Sequence, residues 1–321
     1  MTRQFLIDTD VGSDDAVALI MAFRAADVDV LGITTVSGNV PARQAAINAL
    51  VVVELCDVDI PVYVGAEAPL LRPYADAAFF HGTDGLGDQN YPAPNGQIKP
   101  KHAVDVIIDS ARQNPGLVLV TLGPLTNIAL AVHKAPDIIP NIARCVVMGG
   151  SACTYGNVTP AAEYNIWVDP DAARMVFLSG LAVEMVGWEF CQGDFSISMD
   201  EIDTIRSFDN PLAHFAIDCN LVAIKAFERQ TGQKAMSLPD PVAMAVALDP
   251  TIATQTSKHF VEVEVHSDLT RGMTLVDKLN VATDGRNTET WAQAVKAGKN
   301  VSVTWDVDSK RWKQLLYDAL Q

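Results

Sequence analysis

The sequence predicts an α/β fold built on a mostly parallel sheet, and three observations carry that expectation. Short hydrophobic runs alternate with helical patterns through residues 1–190. The runs are apolar throughout, as strands buried on both faces are, instead of alternating apolar with polar. Nearly half the chain (49%) is apolar and only 19% is charged, which is ample for helices to cover both faces of such a sheet.

Phe5 to Asp8 (FLID) form the first strand candidate, and the stretch from Asp14, DDAVALIMAFRAA, reads as a buried helix, apolar on most faces. Ser13 is placed to cap that helix, with Asp14 and Asp15 in its first turn, where the helix dipole favours negative charge. A strand at 30–36 (VLGITTV), a helix at 42–55 (ARQAAINALVVVEL) and a strand at 61–65 (PVYVG) follow. Residues 72–99 are rich in Gly, Pro, Asp and Asn and too long for an ordinary connection. With Phe79, Phe80 and His81 inside, they read as an active-site flap. A helix at 103–113, a strand at 117–122, a helix at 125–135 and strands at 144–150 and 183–187 continue the alternation. Helical patterns dominate 199–248, and further strands are expected at 260–265, 274–283 and 301–307. There is no internal repeat, low-complexity tract or linker, so residues 1–321 read as a single domain.

Charge narrows the partners. With 23 Lys and Arg against 39 Asp and Glu, the net charge is −16. Such a surface repels phosphate backbones and anionic lipid, so nucleic acid and membrane are not expected partners. A cation and a neutral small molecule are tolerated. The five cysteines (56, 145, 153, 191 and 219) form an odd set without a C-x-x-C pair, which reads as free thiols in a reducing compartment. No charged leader with a long apolar stretch opens the chain, and no run of 18 apolar residues occurs. The expected location is cytoplasmic.

Asp8, Asp10, Asp14 and Asp15 crowd into eight positions at a strand-to-helix junction whose flanks are buried. In parallel α/β sheets, ligands bind beyond the carboxyl ends of the strands, where this junction lies. The helix dipole accounts for Asp14 and Asp15 and leaves Asp8 and Asp10 unexplained. An EF-hand loop counted from Asp8 fails, because it needs Gly sixth and Glu twelfth, and Ser13 and Leu19 stand there. A haloacid dehalogenase-like phosphohydrolase also starts from D-x-D after a strand. It requires a downstream lysine and a second acidic pair, and the one Asp-Asp dipeptide is already used. A Ca²⁺ site fits better, since several carboxylates converging on one hard cation relieve their mutual repulsion. Asp240, in SLPDPVAMAVAL (237–248), offers a further acid, although an Asp-Pro helix start explains it equally well taken alone.

DTDVGSDDAVAL (8–19) resembles the N-terminal signature of the inosine-uridine-preferring nucleoside hydrolases. The resemblance continues in order through TTVSGNV (34–40), HGTDGLGD (81–88), TLGPLTNIALA (121–131), MGG (148–150), GNVTPAAEYNIWVDPDAA (156–173) and PDPVAMA (239–245). It implies a Rossmann-like fold, often a homodimer or homotetramer, that hydrolyses the N-glycosidic bond of ribonucleosides to ribose and free base, with nucleoside salvage as the setting. By similarity, Ca²⁺ is held by Asp10, Asp15, Asp240 and the backbone carbonyl of Leu122. Asp14 and Asn39 bind the ribose diol, Asn157 and Glu163 the 5′-hydroxyl, and Asn165 the 3′ side, while Asp8 supports the metal loop.

The chemistry suits those assignments. A carboxylate beside a metal-bound water can take its proton at neutral pH, which makes Asp10 the expected general base. A carboxylate-lined pocket stabilises the oxocarbenium-like state of glycosidic cleavage. The departure lies at the leaving base. Where the best-studied branch has a proton-donating histidine immediately before the last calcium aspartate, this chain has Pro239, and WEFCQGDF (188–195) also departs from the family run. His81, brought in by loop closure, is the expected substitute. The alternative is a non-catalytic ribose- or nucleoside-binding protein that kept the sugar site and lost its acid.

Overall fold

The computed structural model describes residues 2–299 and 301–321. Its strands are β1 (Arg3–Thr9), β2 (Val28–Thr35), β3 (Val62–Val64), β4 (Leu117–Thr121), β5 (Ile142–Met148), β6 (Val183–Val186), β7 (Ile197–Ser198), β8 (Ala235–Met236), β9 (Ala253–His259), β10 (Val261–Val263), β11 (Thr274–Val276) and β12 (Val301–Val307). Its helices are α1 (Ser13–Arg24), α2 (Ala42–Leu55), α3 (Ala78–His81), α4 (Ala103–Gln113), α5 (Thr126–Lys134), α6 (Tyr164–Val168), α7 (Pro170–Phe177), α8 (Met199–Arg206), α9 (Pro211–Asp218), α10 (Leu221–Thr231), α11 (Pro239–Leu248), α12 (Ala292–Ala297) and α13 (Ser309–Leu320). Among the described residues, one eight-stranded sheet runs in the order β3-β2-β1-β4-β5-β6-β12-β9. Every pairing in it is parallel except β12 with β9.

The hydrophobic runs explain the layers. Side chains alternate across a strand, so an all-apolar run feeds two cores. Phe5 and Ile7 of β1 join one core, with residues of α1, α2, α11 and α13, and Leu6 joins the other, with α4, α5 and α7. β4 divides likewise, with Val118 and Val120 on the first side and Leu117 and Leu119 on the second. The expected parallel sheet covered on both faces is therefore present. The chain builds outward from β1 through β2 to β3, then starts again with β4 on the other side of β1. That reversal opens a crevice at the carboxyl ends of β1 and β4, the place where such sheets bind ligands.

Some elements differ from the sequence reading. β9 was not expected: it is an edge strand whose residues from Thr254 to Lys258 are exposed, so it carries no hydrophobic pattern. The strand expected at 274–283 ends at Val276, because the Asp277 carboxylate accepts hydrogen bonds from the backbone of Val281 (2.9 Å) and Ala282 (2.8 Å) and turns the chain. Among the described residues, no helix is long and apolar enough to cross a membrane.

Candidate active site

The crevice is built from the end of β1 outward. Asp8 faces inward as a brace, its Oδ1 accepting from Thr34 Oγ1 (2.6 Å) and Asn127 Nδ2 (2.8 Å), and burial pushes its pKa up to about 7. Asp10, fully buried, accepts the backbone N–H of Asn39 on Oδ2 at 2.6 Å, and its Oδ1 has no partner. A side chain at Gly38 or Gly123 would run into this carboxylate, which explains the glycines of VSGNV and TLGPL. Asp15 is held by the Thr9 hydroxyl, by the Gly12 N–H (2.8 Å) and by Asn39 Nδ2 (3.1 Å).

The first turns of α1 and α11 pack side by side and bring carboxylate oxygens of Asp14, Asp15 and Asp240 within 4.8 Å of one another, all buried. This trio can hold a metal ion. Asp10 stands beside the trio. Burial, then the charges of Asp14, Asp15 and Asp10, raise the pKa of Asp240 well above the usual carboxylate range. Asp10 is raised by burial and by Asp15, Asp15 by burial and Asp14, and Asp14 by burial to about 6. Buried acids that oppose one another's ionisation stay charged at neutral pH if a cation joins them. The donor set is all oxygen, which suits a hard cation, and Asp10 Oδ1 and Asp14 Oδ1 are free to accept one. Leu122, just past β4, lines the same pocket, but its carbonyl already accepts from Asn165 Nδ2 at 2.9 Å.

Across the pocket lie Asn157, Glu163 and Asn165. Glu163 caps α6, accepting from the backbone of Asn165 (2.8 Å), Gly150 (2.8 Å) and Ile166 (3.2 Å), and burial still lifts its pKa to about 7. Asn157 Oδ1 accepts the Tyr164 N–H at 2.9 Å. The structure thus brings every residue singled out from the sequence to one place: Asp14, Asn39, His81, Leu122, Asn157, Glu163, Asn165 and Asp240 line a single pocket, with Asp10 and Asp15 hydrogen-bonded to Asn39 beneath it.

Two expectations change. Ser13 does not cap α1: Gly12 occupies that position, and the Ser13 hydroxyl lies 2.9 Å from His81 Nδ1. His81 needs no loop closure to reach the acids. Helix α3 holds it buried, with Ala77 N–H bonded to the Asn39 carbonyl (3.1 Å) and Nδ1 3.7 Å from Asp14 Oδ1. Burial lowers its pKa to about 4, partly offset by Asp15. Phe79, exposed, and Phe80, against the His81 ring at 5.0 Å, complete that wall with Pro239 and Trp188.

Sequence reasoning overlooked Thr9, Tyr164 and Ser237. Thr9 sits inside the acid signature, and Tyr164, whose hydroxyl donates to the carbonyls of Gly38 (3.0 Å) and Ala75 (3.1 Å), sits inside the EYN block, so both were visible but masked by charged neighbours. Ser237, a buried hydroxyl without a partner, gave no sequence signal. Among the described residues, no lysine lines this pocket, although the phosphohydrolase alternative requires one.

The chain is similar to known proteins of one family. Residues 5–314 match the family described as inosine-uridine preferring nucleoside hydrolase. A pyrimidine-specific ribonucleoside hydrolase of Escherichia coli is 34% identical over 304 residues, covering 94% of each chain. Among solved structures, a plant nucleoside hydrolase superposes with a TM-score of 0.91 at 30% identity, covering 100% of this chain and 99% of its own. A purine-preferring ribonucleoside hydrolase from Gardnerella vaginalis does so at 0.87 and 32% identity, covering 99% and 98%.

Proposed function

Because the chain belongs to the inosine-uridine preferring nucleoside hydrolase family, we propose that its aspartate cluster binds Ca²⁺ and ribose together, and that Asp10 takes the proton of the attacking water. The chain is a hydrolase of ribonucleoside N-glycosyl bonds. The observation that carries the finer reading is the buried Asp14–Asp15–Asp240 trio with the unpartnered Asp10 Oδ1 and Asp14 Oδ1 beside it. Asp10, Asp15, Asp240 and the Leu122 carbonyl are the proposed cation ligands. Once bound, the cation supplies positive charge that offsets carboxylate repulsion and eases ionisation of a water.

The protein's own groups then divide the work. Asp10 is anchored on one oxygen by the Asn39 N–H and free on the other. It has a fixed direction from which to accept a proton, and its surroundings favour the protonated form. Asp14 and Asn39 take the ribose diol, Asn157 and Glu163 the 5′-hydroxyl and Asn165 the 3′ side. The same carboxylates offset the positive charge that grows on the sugar as the bond breaks. Pro239 has no proton to give, so His81, already against the pocket, is the group we assign to orient or protonate the base.

We extend the proposal to one domain over residues 1–321, supported by a sheet that draws strands from both ends of the chain, and to a homodimer or homotetramer acting in nucleoside salvage. A cytoplasmic location is supported by five free cysteines. The direct test is incubation with inosine, adenosine, uridine and cytidine and a reducing-sugar assay for ribose. Ribose release from at least one supports the reading; binding of all four without release would replace it by a nucleoside-binding role.

A further inference from the structure

We propose that Ser13 is a positioning residue that fixes the tautomer of His81, so that His81 meets the nucleobase as a neutral hydrogen-bond donor through Nε2. The backbone N–H of Ser13 lies 3.3 Å from His81 Nδ1 with hydrogen-bond geometry, and the Ser13 hydroxyl lies 2.9 Å from the same nitrogen. A backbone amide can only donate, so Nδ1 must be the acceptor, and the single ring proton of neutral imidazole resides on Nε2. The hydroxyl, free to rotate, then shares the one Nδ1 lone pair as a second donor. A proton on Nδ1 would face the Ser13 N–H head on, and Asp14 Oδ1, at 3.7 Å, is too far to make a hydrogen bond that compensates.

The arrangement is rigid at both ends. Ser13 is fully buried at the first turn of α1, with its carbonyl accepting from Asn220 Nδ2 at 3.1 Å. Gly12 before it leaves no room for a side chain beside His81 Nδ1. With Nδ1 committed to Ser13, the Nε2 N–H is the ring's remaining polar group, and His81 lines the pocket. A donor of that kind can meet an unprotonated ring nitrogen or a carbonyl oxygen of the base, and its bond strengthens as negative charge gathers there during departure. Ser13 thus does more than start a helix: it selects which edge of the imidazole the substrate finds.

The inference rests on His81 acting at the base, and the test separates the two. Nitrogen NMR on ¹⁵N-histidine-labelled protein should show His81 as the Nε2–H tautomer; the Nδ1–H form would overturn the proposal whatever the kinetics. Ser13→Ala, which keeps the backbone amide and removes the hydroxyl that holds Nδ1, should lower kcat/KM for inosine or uridine about tenfold, change nitrophenyl riboside hydrolysis less than twofold, and have no further effect in a His81→Ala background. Ser13→Thr, which keeps the hydroxyl, should retain most of the rate. Equal loss on both substrates, or an undiminished Ser13→Ala effect without His81, would mean Ser13 acts through the fold or the acids and would overturn the role. Natural nucleosides unaffected by His81→Ala would overturn the placement of His81 at the base, and with it the use of the tautomer.

Discussion

The two ends of the pocket are built on different principles. The acidic end, proposed to hold the sugar, hangs from the sheet: Asp10 continues β1, Asp14 and Asp15 open α1, and Asp240 opens α11, each in a buried segment packed on the others. The opposite end, proposed to meet the base, is made mainly of short pieces that belong to no strand of the large sheet, namely α3 and the turn at Trp188, with Pro239 beside them. Charge follows the same division. Carboxylates crowd the first end, whereas the second presents rings and a neutral histidine. On the proposed reading, the step common to ribonucleosides sits on the sheet framework, and the group that meets the base sits on a short connecting piece, as binding loops on scaffolds do.

That contrast can be broken most severely at the acidic end. Asp10→Ala or Asp240→Ala should lower kcat/KM by roughly 10³-fold or more, the scale of losing a base together with its charge partners, and should reduce bound Ca²⁺ in a metal assay. A fully active Asp240→Ala enzyme would remove this end from the chemistry. On the substrate side, 2′-deoxyribonucleosides should turn over roughly 10⁴-fold more slowly than ribonucleosides, because buried groups that read a hydroxyl are left unpaired without it. Equal rates would show that Asp14 and Asn39 do not read the diol.

Mutations at the base end should be milder and substrate-dependent. His81→Ala should slow natural nucleosides by about 10²-fold, within the range of acid catalysis and of one donor to a developing charge. Nitrophenyl riboside, whose leaving group departs unaided, should barely change. Equal slowing of both would assign His81 to binding or to the order of α3.

The smallest effect separates burial from function. Burial raises the pKa of Glu163, which lines the pocket, and of Glu189, the residue after Trp188, each to about 7. An acid raised in the folded state binds protons more tightly there than when unfolded, so its favourable contribution is complete below about pH 4.5 and is lost as pH rises towards 7. Glu189→Gln should therefore flatten the fall in Tm between pH 4.5 and 7, by roughly 1–2 °C for each kcal/mol recovered, and leave kcat unchanged. A loss of kcat equal to that of Glu163→Gln would place Glu189 in the pocket chemistry.

The framework was legible because periodicity survives in buried strands: FLID, LVLVT and VSVTWDV all lie in the sheet where expected. The acids were legible because four of them at one junction demand a reason. What escaped was decided by contacts distant in sequence. Ser13 looks like a helix cap until His81, 68 positions away, is seen against its hydroxyl. β9 is polar because its edge position leaves it exposed, so it carries no pattern to read. Residues 72–99 are tied down by contacts such as the Ala77 N–H to the Asn39 carbonyl and the Gly96 N–H to Glu54, and a loop composition rich in glycine conceals such anchors.

Dependence of ribose release on a bound cation is measured most directly by a paired titration on one sample of wild-type protein. The chain is stripped with a chelator, Ca²⁺ is added back, and bound ion and ribose release from inosine or uridine are followed together. Stripped protein should be inactive, and activity should return in proportion to occupancy, saturating at one ion per chain. Full ribose release from protein with no detectable metal would contradict that dependence.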